Sequence, residues 1–451
     1  MFSIELSRQE FGTKLNHVVS PSRPIQSVEH LQGRSNELRQ IEQALFMDGR
    51  HVFIFGDRGV GKSSVAATAA NQYQSSDSEY IDVSGSPDAT FKGIVANICY
   101  QALRASRTHK VKRTTNASFE PKYFKQGSST ETTLQDLHAE IRSIADATAL
   151  LKEVASLHSD RPIVVLDEFD RIKDDNERSQ FADLLKQMGD KNVPLKFIFT
   201  GVGSTIEQLL GAHPSAIRQL ETIELPRLSW DSRWEIVRRA CDQFGVVAHR
   251  EVEMRIAAVS DGFPYYVHLL TEKLLWHLFT AQEAVTLATL DHYWAALIDA
   301  INGINADLRK PYEKAISRNT TDIEEVLWST ADTDLLQRHL RDMNYSYRSV
   351  MSQRSERVSL SQDKYSARIR ALKTRAYGEI LVGDPHHQGL YTYREKMLRG
   401  YVRMQAEANG VELVDDRNAS RGSSTMHVPA MASRGYRGPT IPKGVKFPRS
   451  V

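Results

Sequence analysis

The chain has 451 residues, 41% of them hydrophobic, and a formal net charge of +2 at pH 7, which is enough for two or three domains with real cores. Only two cysteines are present, far apart, which argues against a disulfide framework or a zinc site and for a reducing compartment. The sequence has no signal-peptide core and no run of 18 apolar residues, so we predict a soluble cytoplasmic protein with no membrane partner.

The first element with a chemical signature is "FGDRGVGKSS" at positions 55–64, between a strand-like run, "HVFIF", and a helix-like run, "KSSVAATAANQY". Gly56, Gly61, Lys62 and Ser63 match the pattern G-x-x-x-x-G-K-[ST]. In that spacing backbone N–H groups turn toward phosphates, the lysine reaches the β- and γ-oxygens, and the serine holds Mg²⁺. The sequence therefore predicts ATP and Mg²⁺ as cofactors. The predicted nucleotide-binding residues of this loop are Gly56, Asp57, Arg58, Gly59, Val60, Gly61, Lys62, Ser63 and Ser64.

Two later strands end in polar residues that suit nucleotide hydrolysis. The run "IVVL" is typical of a buried strand, and Asp167 and Glu168 follow it. We predict that Asp167 holds Mg²⁺ and that Glu168 polarises the attacking water. The second strand, "LKFIFT", ends at Thr200, which we predict to contact the γ-phosphate or the lytic water, although many buried strands end in threonine without such a role.

Arg218 lies just before the strand-like run "TIELP". A guanidinium group at that place could complete the active site of a neighbouring subunit by stabilising transition-state charge. The alternative is an ordinary surface arginine or an ion pair within the subunit. The first interpretation predicts a homo-oligomer.

Lys62, the pair Asp167 and Glu168, Thr200 and Arg218 follow one another on alternating strands and helices, and in this order they resemble an AAA+ ATPase. The detailed pattern is similar to replication-initiator and transposition-helper ATPases and to the related signal-transduction (STAND) class, over roughly residues 20–405. This resemblance implies a fold of class α/β, a P-loop NTPase core with a parallel sheet between helices, over residues 20–227. Residues 1–19 form a separate N-terminal segment.

The resemblance also implies where the base of the nucleotide lies. The stretch "LQGRSNELRQIEQAL" contains Gly33, Arg34 and Glu37, and it resembles the family's entry motif beside the adenine pocket. The upstream "RPI" at 23–25 is expected to add adenine contacts.

Residues 228–303 show helical periodicity interrupted by turns and are predicted to form an α-helical lid. The family usually places a sensor arginine in the segment "SDGFPYYVHLL", where this chain has Gly262, Pro264 and Tyr265. We therefore expect Pro264 at the nucleotide and a slow switch rather than fast turnover. His268 is expected to be a packed histidine of the lid.

Residues 304–410 read as several helices followed by "EILVG", the turn "DPHHQG" and "LYTYRE", which is typical of a winged helix. Its third helix, predicted over 361–375, has Ile369 and Leu372 for the core. The basic side chains of that helix are predicted to bind duplex DNA through phosphates and guanines. These predicted DNA-binding residues are Lys364, Arg368, Arg370, Lys373 and Arg375. Winged helices also serve as protein-interaction modules, which is the alternative.

Two segments do not have the pattern of a packed domain. Residues 104–133 are basic with little periodicity, where initiator-type relatives carry an insertion facing DNA; a merely flexible loop is the other interpretation. The tail at 411–451 is rich in Gly, Pro and Ser, and is expected to be disordered alone and to contact DNA or a protein partner. From residue 338 onward the chain has 21 Lys and Arg against 10 Asp and Glu, so the acidic part is N-terminal and the basic part C-terminal.

These observations support two functions. The first is an ATP-binding, slowly hydrolysing switch that couples its nucleotide state to oligomerisation and DNA binding through the winged helix. The second is a STAND-like regulatory ATPase that assembles with a protein partner, such as an effector nuclease or toxin, and controls it without reading DNA.

Overall fold

The computed structural model describes residues 6–74, 78–108, 133–203, 218–281, 283, 285–317 and 322–413. Most of the predicted insertion and of the predicted basic tail lies outside the described residues. Their proposed contacts with DNA or a partner stay predictions.

The centre of the N-terminal part is a parallel five-stranded sheet in the order β2-β3-β4-β1-β5. Its strands are β1 (His51–Phe55), β2 (Ile81–Ser84), β3 (Ile163–Asp167), β4 (Lys196–Gly201) and β5 (Leu220–Glu224). The central strands are short apolar runs without polar alternation, because helices cover both faces of the sheet. This arrangement confirms the predicted α/β P-loop NTPase core.

The two faces of the sheet belong to two hydrophobic clusters. Val52 and Ile54 of β1 belong to a cluster that continues into the lid and the C-terminal region, whereas Phe53 belongs to a second cluster that includes Phe199 and Phe169. This division follows from the two-residue period of a strand. The helices of this part are α1 (Arg8–Val18), α2 (Ser35–Phe46), α3 (Lys62–Tyr73), α4 (Phe91–Thr108), α5 (Leu134–Glu140), α6 (Ile144–His158) and α7 (Asp175–Asp190).

The predicted lid segment consists mainly of helices. They are α8 (Trp230–Gln243), α9 (Arg250–Val259), α10 (Pro264–Phe279) and α11 (Leu290–Gly303), with the two-residue strands β6 (Val247–Ala248) and β7 (Leu287–Ala288) between them. Phe11 of α1 stacks on Phe279 and contacts the edge of Trp276. The N-terminal segment is therefore packed on the lid.

The C-terminal region has helices and a small antiparallel sheet of order β8-β10-β9. Its elements are α12 (Ala306–Ile316), α13 (Ile323–Ala331), β8 (Gln337–His339), α14 (Leu340–Ser352), α15 (Gln362–Ala371), β9 (Leu381–Gly383), β10 (Leu390–Tyr393) and α16 (Leu398–Ala408). The winged-helix interpretation and the domain boundaries stay predictions.

The predicted third helix is shorter than expected. It starts after the N-cap Ser361 and ends at Ala371, so Lys373 and Arg375 lie beyond its end. Leu372 is buried, and its carbonyl oxygen accepts a hydrogen bond from the backbone N–H of Leu381, which turns the chain into β9. Tertiary packing thus ends the helix before its sequence pattern does.

A buried ionic cluster joins the lid to the C-terminal region. Asp261, 1% exposed, accepts hydrogen bonds from Nε of Arg399 at 2.6 Å and from a terminal nitrogen of Arg227 at 2.5 Å. Arg403, also buried, donates to the carbonyl oxygens of Ala258 and Thr333. The lid and the C-terminal region therefore pack as one unit. We call Asp261 with these three arginines the Asp261 cluster.

Cys99 and Cys241 are buried free thiols. Burial raises the pKa of each thiol to about 12, so both stay protonated at neutral pH.

Among the described residues, none of the helices combines the length and apolar character needed to span a bilayer. The cytoplasmic location stays a prediction.

Candidate active site

A cavity of about 750 Å³ lies at the carboxyl ends of β1, β3 and β4. Its walls are formed by the loop before α3, polar residues at the ends of β3 and β4, the segment 20–34, the lid and Met397 of the C-terminal region. Of the nine predicted loop residues, those from Arg58 to Ser64 line the cavity, whereas Gly56 and Asp57 do not. Most of the residues predicted from three distant motifs are therefore brought together.

The loop before α3 has the backbone that its glycines permit. Gly61 is the N-cap of α3 with φ of 95°, a left-handed conformation that favours glycine. At Gly56 a Cβ atom would lie 2.5 Å from the carbonyl oxygen of Leu225, so this glycine serves the close approach of β5. The N-terminus of α3 points its free N–H groups at the cavity, where a negative charge is stabilised.

The amine of Lys62 donates hydrogen bonds to the carbonyl oxygens of Gly56 at 3.1 Å and Asp57 at 2.9 Å. Burial lowers the pKa of Lys62, while the charges of Asp170 and Asp167 oppose that shift. The ammonium group is thus held inside the loop, next to the helix N-terminus.

Asp167, Glu168 and Thr200 form a hydrogen-bonded group beside the loop. The hydroxyl of Thr200 donates to the carboxylate of Asp167 and accepts from the backbone N–H of Glu168 at 3.0 Å. Ser63 and Asp167 line the same cavity, and a hydroxyl and a carboxylate are oxygen ligands of the kind that Mg²⁺ takes. These residues suit a magnesium site.

Glu168 has an unusual backbone and a charged partner. Its φ of 52° is in the left-handed region, which is costly for a residue with a side chain. Its carboxylate accepts from the guanidinium group of Arg171 at 2.6 Å, in a pair that is half exposed. The left-handed turn directs the chain from β3 into the short helix Phe169–Arg171.

Residues of the segment 20–34 form another part of the cavity wall. Arg34 is 2% exposed and donates to the carbonyl oxygens of Val60 at 2.9 Å and Pro226 at 2.7 Å. The backbone N–H of Ile25 donates to the hydroxyl of Ser64 at 3.1 Å. The predicted entry motif is thus fastened to the loop, and Ser64 makes part of that link.

The lid covers the cavity with the first turns of α10. Pro264 is its N1 residue, and its ring lies 3.7 Å from the position of a Cβ atom on Gly61. Tyr265 and His268 also line the cavity. His268 packs inside the lid, as predicted.

Comparison with known proteins agrees with this geometry. Residues 30–198 match the model of the AAA ATPase domain. The chain carries an AAA ATPase domain. This finding confirms the predicted AAA+ resemblance and the predicted enzyme class, an ATPase that binds a nucleotide; the initiator-like or STAND subtype stays a prediction.

Two solved structures align with this chain over most of its length. The Walker-type ATPase of Pyrococcus abyssi is 14% identical, with a TM-score of 0.51 over 85% of this chain and 99% of that chain. The ORC2 protein of Aeropyrum pernix is 12% identical, with a TM-score of 0.46 over 87% of this chain and 98% of that chain. At 14% identity the likeness to the first structure concerns the fold alone. A search of curated proteins found no matching sequence.

Three C-terminal residues that the sequence analysis missed contact the AAA ATPase domain at its phosphate loop. The amine of Lys396 lies 2.5 Å from Oδ1 of Asp57, and Glu395 lies 3.6 Å from Arg58. Met397 packs on Gly59, where a Cβ atom would lie 2.1 Å from its sulfur. The segment "REKM" has no motif in sequence, and only the folded arrangement brings it to the loop. We call 395–397 the loop-contact segment.

The other predicted site residues lie away from the cavity. Arg218 is exposed before β5 and is not among the lining residues. Lys364, Arg370, Lys373 and Arg375 are exposed. Arg368 is half-buried, and its guanidinium group pairs with Asp322 at 3.1 Å, which gives it a structural contact within the C-terminal region.

Proposed function

We propose that this AAA ATPase is a slow nucleotide-controlled switch that binds duplex DNA through its C-terminal region. The observation that carries the proposal is the contact between Lys396 and Asp57, because it connects the C-terminal region directly to the phosphate loop. A change of the loop on ATP binding or hydrolysis would be transmitted to that region through this contact.

The arrangement of the cavity supports a division of roles in hydrolysis. Lys62 and the N–H groups at the start of α3 bind the phosphates. Ser63 and Asp167 would hold Mg²⁺, which would neutralise phosphate charge there. Glu168 accepts a proton from the attacking water. Thr200 orients Asp167 and the backbone of Glu168, to which it is hydrogen-bonded.

Slow turnover follows from two features of the same site. Pro264 stands where a sensor arginine is expected, and among the described residues of the lid no lysine or arginine lines the cavity. Glu168 is paired with Arg171, and this pair has to open before the carboxylate can act as a base. Both features favour long-lived nucleotide states, as a switch requires.

DNA binding is proposed on the charge of the C-terminal region. Lys364, Arg370, Lys373 and Arg375 are exposed in or just after α15. Side chains of this kind bind DNA by neutralising phosphates and releasing counterions. Arg368 contributes less, because Asp322 already neutralises it.

We also propose a homo-oligomer. Arg218 is exposed and does not line the cavity of its own subunit, as is required of a residue that acts on a neighbouring subunit.

The rival function, STAND-like control of a protein partner, is favoured by Gly262, Phe263 and Pro264 at the start of α10. In that case the contact between Lys396 and Asp57 would serve a protein-binding surface instead of a DNA-binding one.

The decisive experiment measures the affinity of the full chain for duplex DNA with ATP, with ADP and without nucleotide, at about 50 and about 200 mM salt. We expect salt-dependent binding that changes with the nucleotide. The test variant replaces Lys364, Arg370 and Arg375 by glutamate. The matched control replaces Arg39, Lys92 and Lys186, three exposed basic residues of the ATPase domain, in the same way.

Loss of binding in the test variant alone supports DNA contact through the C-terminal region. Equal loss of binding in both variants would mean that the total charge of the protein, and not a site in the C-terminal region, determines its affinity for DNA. If the full chain binds no DNA in any nucleotide state, the rival function takes its place.

A further inference from the structure

The N-terminal part of the chain is joined to the lid by an aromatic contact. Phe11 of α1 is fully buried, and its ring stacks on Phe279 with the centroids 4.1 Å apart and meets the edge of Trp276 at 4.7 Å. Phe244, the residue after α8, lies 5.1 Å from the same ring. Aromatic pairs at such distances stabilise beyond the area that they bury. α1 is therefore anchored on two helices of the lid.

A few residues later the chain is hydrogen-bonded to α3, the helix that follows the phosphate loop. The hydroxyl of Thr68 donates to the carbonyl oxygen of Ile25 at 2.9 Å, and the side-chain amide of Asn71 donates to the carbonyl oxygen of Gln26 at 3.1 Å. The N–H of Ile25 in turn donates to the hydroxyl of Ser64. Both backbone groups of Ile25 are thus bonded to α3, so this point of the chain is anchored on the core.

The connection between the two anchors is short and runs along the cavity. α1 ends at Val18, and Val19 is buried, so residues 20–24 connect the anchors. These five residues all line the cavity. When fully extended they span at most roughly 18 Å, and Pro21 and Pro24 restrict the backbone further. The lid can therefore move away from the core only as far as this connection allows.

α10 connects the lid anchor to the ATPase site. It begins at Pro264, beside Gly61 of the phosphate loop, and ends at Phe279, on which Phe11 stacks. Its 16 residues extend over about 24 Å. A helix moves as a rigid element, so a contact at one end of α10 affects the position of the other end over the phosphate loop.

We propose that residues 8–26 are a strap that limits the opening of the lid, and that Phe11 is a positioning residue for the ATPase site. The strap slows the release of nucleotide, which leaves the cavity when the lid opens. Phe11 does not line the cavity and acts through α10. The inference rests on the proposed nucleotide switch and deepens it, because it names an element that makes the nucleotide-bound states long-lived.

The first test lengthens the strap and leaves both anchors in place. Five residues, Gly-Ser-Gly-Ser-Gly, are inserted between Val19 and Ser20, and the control has the same insertion between Asp48 and Gly49, in a turn that does not line the cavity. Dissociation rates are measured by chasing fluorescent, ribose-labelled ATP and ADP with unlabelled nucleotide. Because doubling a loop weakens its closure by that factor, release should become about three-fold faster in the first variant and stay unchanged in the control.

The second test weakens the anchors one at a time and together. Phe11→Ala removes the lid anchor, and Thr68→Val combined with Asn71→Ala weakens the core anchor. Each should accelerate release at least as much as the insertion. A strap fails when either end is free, so the combination of all three substitutions should release nucleotide hardly faster than the more affected anchor variant. Phe11→Leu should restore part of the slow release, and it replaces Phe11→Ala if that protein does not fold.

Three results would contradict the strap in different ways. If the insertion at Val19 leaves the release of nucleotide unchanged, residues 20–24 do not restrain the lid, and the nucleotide switch stands without them. If the effects of the two anchors multiply, they are independent packing defects and not the two ends of one strap. If the unaltered chain binds neither ATP nor ADP, the proposed function fails and the inference fails with it.

Discussion

Lys396 and Asp57 are 339 residues apart in the sequence, and their side chains are 2.5 Å apart in the structure. The backbone carbonyl of the same aspartate accepts a hydrogen bond from Lys62. One residue of the loop is thus in contact with Lys62, which we propose to bind phosphate, and with the region proposed to bind DNA. This relationship gives the switch a physical basis.

A double-mutant cycle with Asp57→Asn and Lys396→Gln tests that coupling. Because both side chains are about one-third exposed, we expect a coupling free energy of only about 0.5–1 kcal/mol in ATP binding. The effect of ATP on DNA affinity should fall in each single variant. If the two substitutions have strictly additive effects on ATP binding and ATP still changes DNA affinity as in the unaltered chain, the loop and the C-terminal region are not coupled through this contact.

Glu168→Gln should retain ATP binding and reduce hydrolysis about 10²- to 10⁴-fold, the usual contribution of a general base. The amide has nearly the same shape as the carboxylate but does not accept the proton. ATP affinity and turnover are measured on the same preparation. An equal loss of both would contradict the assignment, and Glu177→Gln serves as a control outside the cavity.

The left-handed backbone of Glu168 predicts that two variants at this position differ in stability. Glu168→Gly and Glu168→Ala both remove the pair with Arg171, but only glycine tolerates a φ of 52° without strain. The glycine variant should therefore have the larger free energy of unfolding, by about 1 kcal/mol. Denaturant titration of the two variants measures this difference, and both should lack hydrolysis. Equal midpoints would mean that the turn is not strained.

The Asp261 cluster predicts a dependence of stability on acid. The arginines hold the pKa of Asp261 at about 2, below its ordinary 3.8, although burial alone would raise it. The cluster therefore contributes its full stability above about pH 4 and loses it as the pH falls toward 2. The shift corresponds to about 2 kcal/mol.

Asp261→Asn should remove that part of the acid dependence and destabilise the protein at neutral pH by about 3 kcal/mol or more, because buried guanidinium charges lose their partner. Thermal unfolding across this pH range measures both effects. Asp190→Asn, which changes an exposed residue at the end of α7, is the control. A small effect of Asp261→Asn at neutral pH would mean that the lid and the C-terminal region do not depend on this cluster.

Arg218→Ala should reduce turnover about ten-fold or more, and only at concentrations at which subunits associate, because its exposed side chain cannot serve its own cavity. Mixing Arg218→Ala with Glu168→Gln should restore part of the activity, since a mixed pair contains one intact composite site. If mixing restores no activity and turnover does not depend on protein concentration, Arg218 is an ordinary surface residue without a role in a neighbouring active site.

The sequence predicted the core well, because strand hydrophobicity and loop spacing are local properties. The residues after β1, β3 and β4 come together as expected, since parallel strands end at one edge of the sheet. The predicted third helix, which is α15 in the structure, was expected to end four residues later than it does. There the burial of Leu372 and the turn into β9 outweigh helical periodicity.

The contacts between distant segments could not be predicted. The segment "REKM" has no composition that marks a nucleotide site, and Asp261 reads as an ordinary turn residue. Their roles depend on which surfaces meet in three dimensions, and a single sequence contains no signal for that pairing. The stacking of Phe11 on Phe279 is likewise visible only after the lid is packed.

The distance along the chain within the Asp261 cluster has a consequence for biosynthesis. Asp261 and Arg399 are 138 residues apart, so a growing polypeptide contains the aspartate long before its main partner leaves the ribosome. At about 5–20 residues per second, the carboxylate waits roughly 7–30 seconds for that arginine. Until then Arg227, which precedes the aspartate in the chain, is the one arginine of the cluster that can pair with it, and the lid completes its packing on the C-terminal region only after Arg399 has been made.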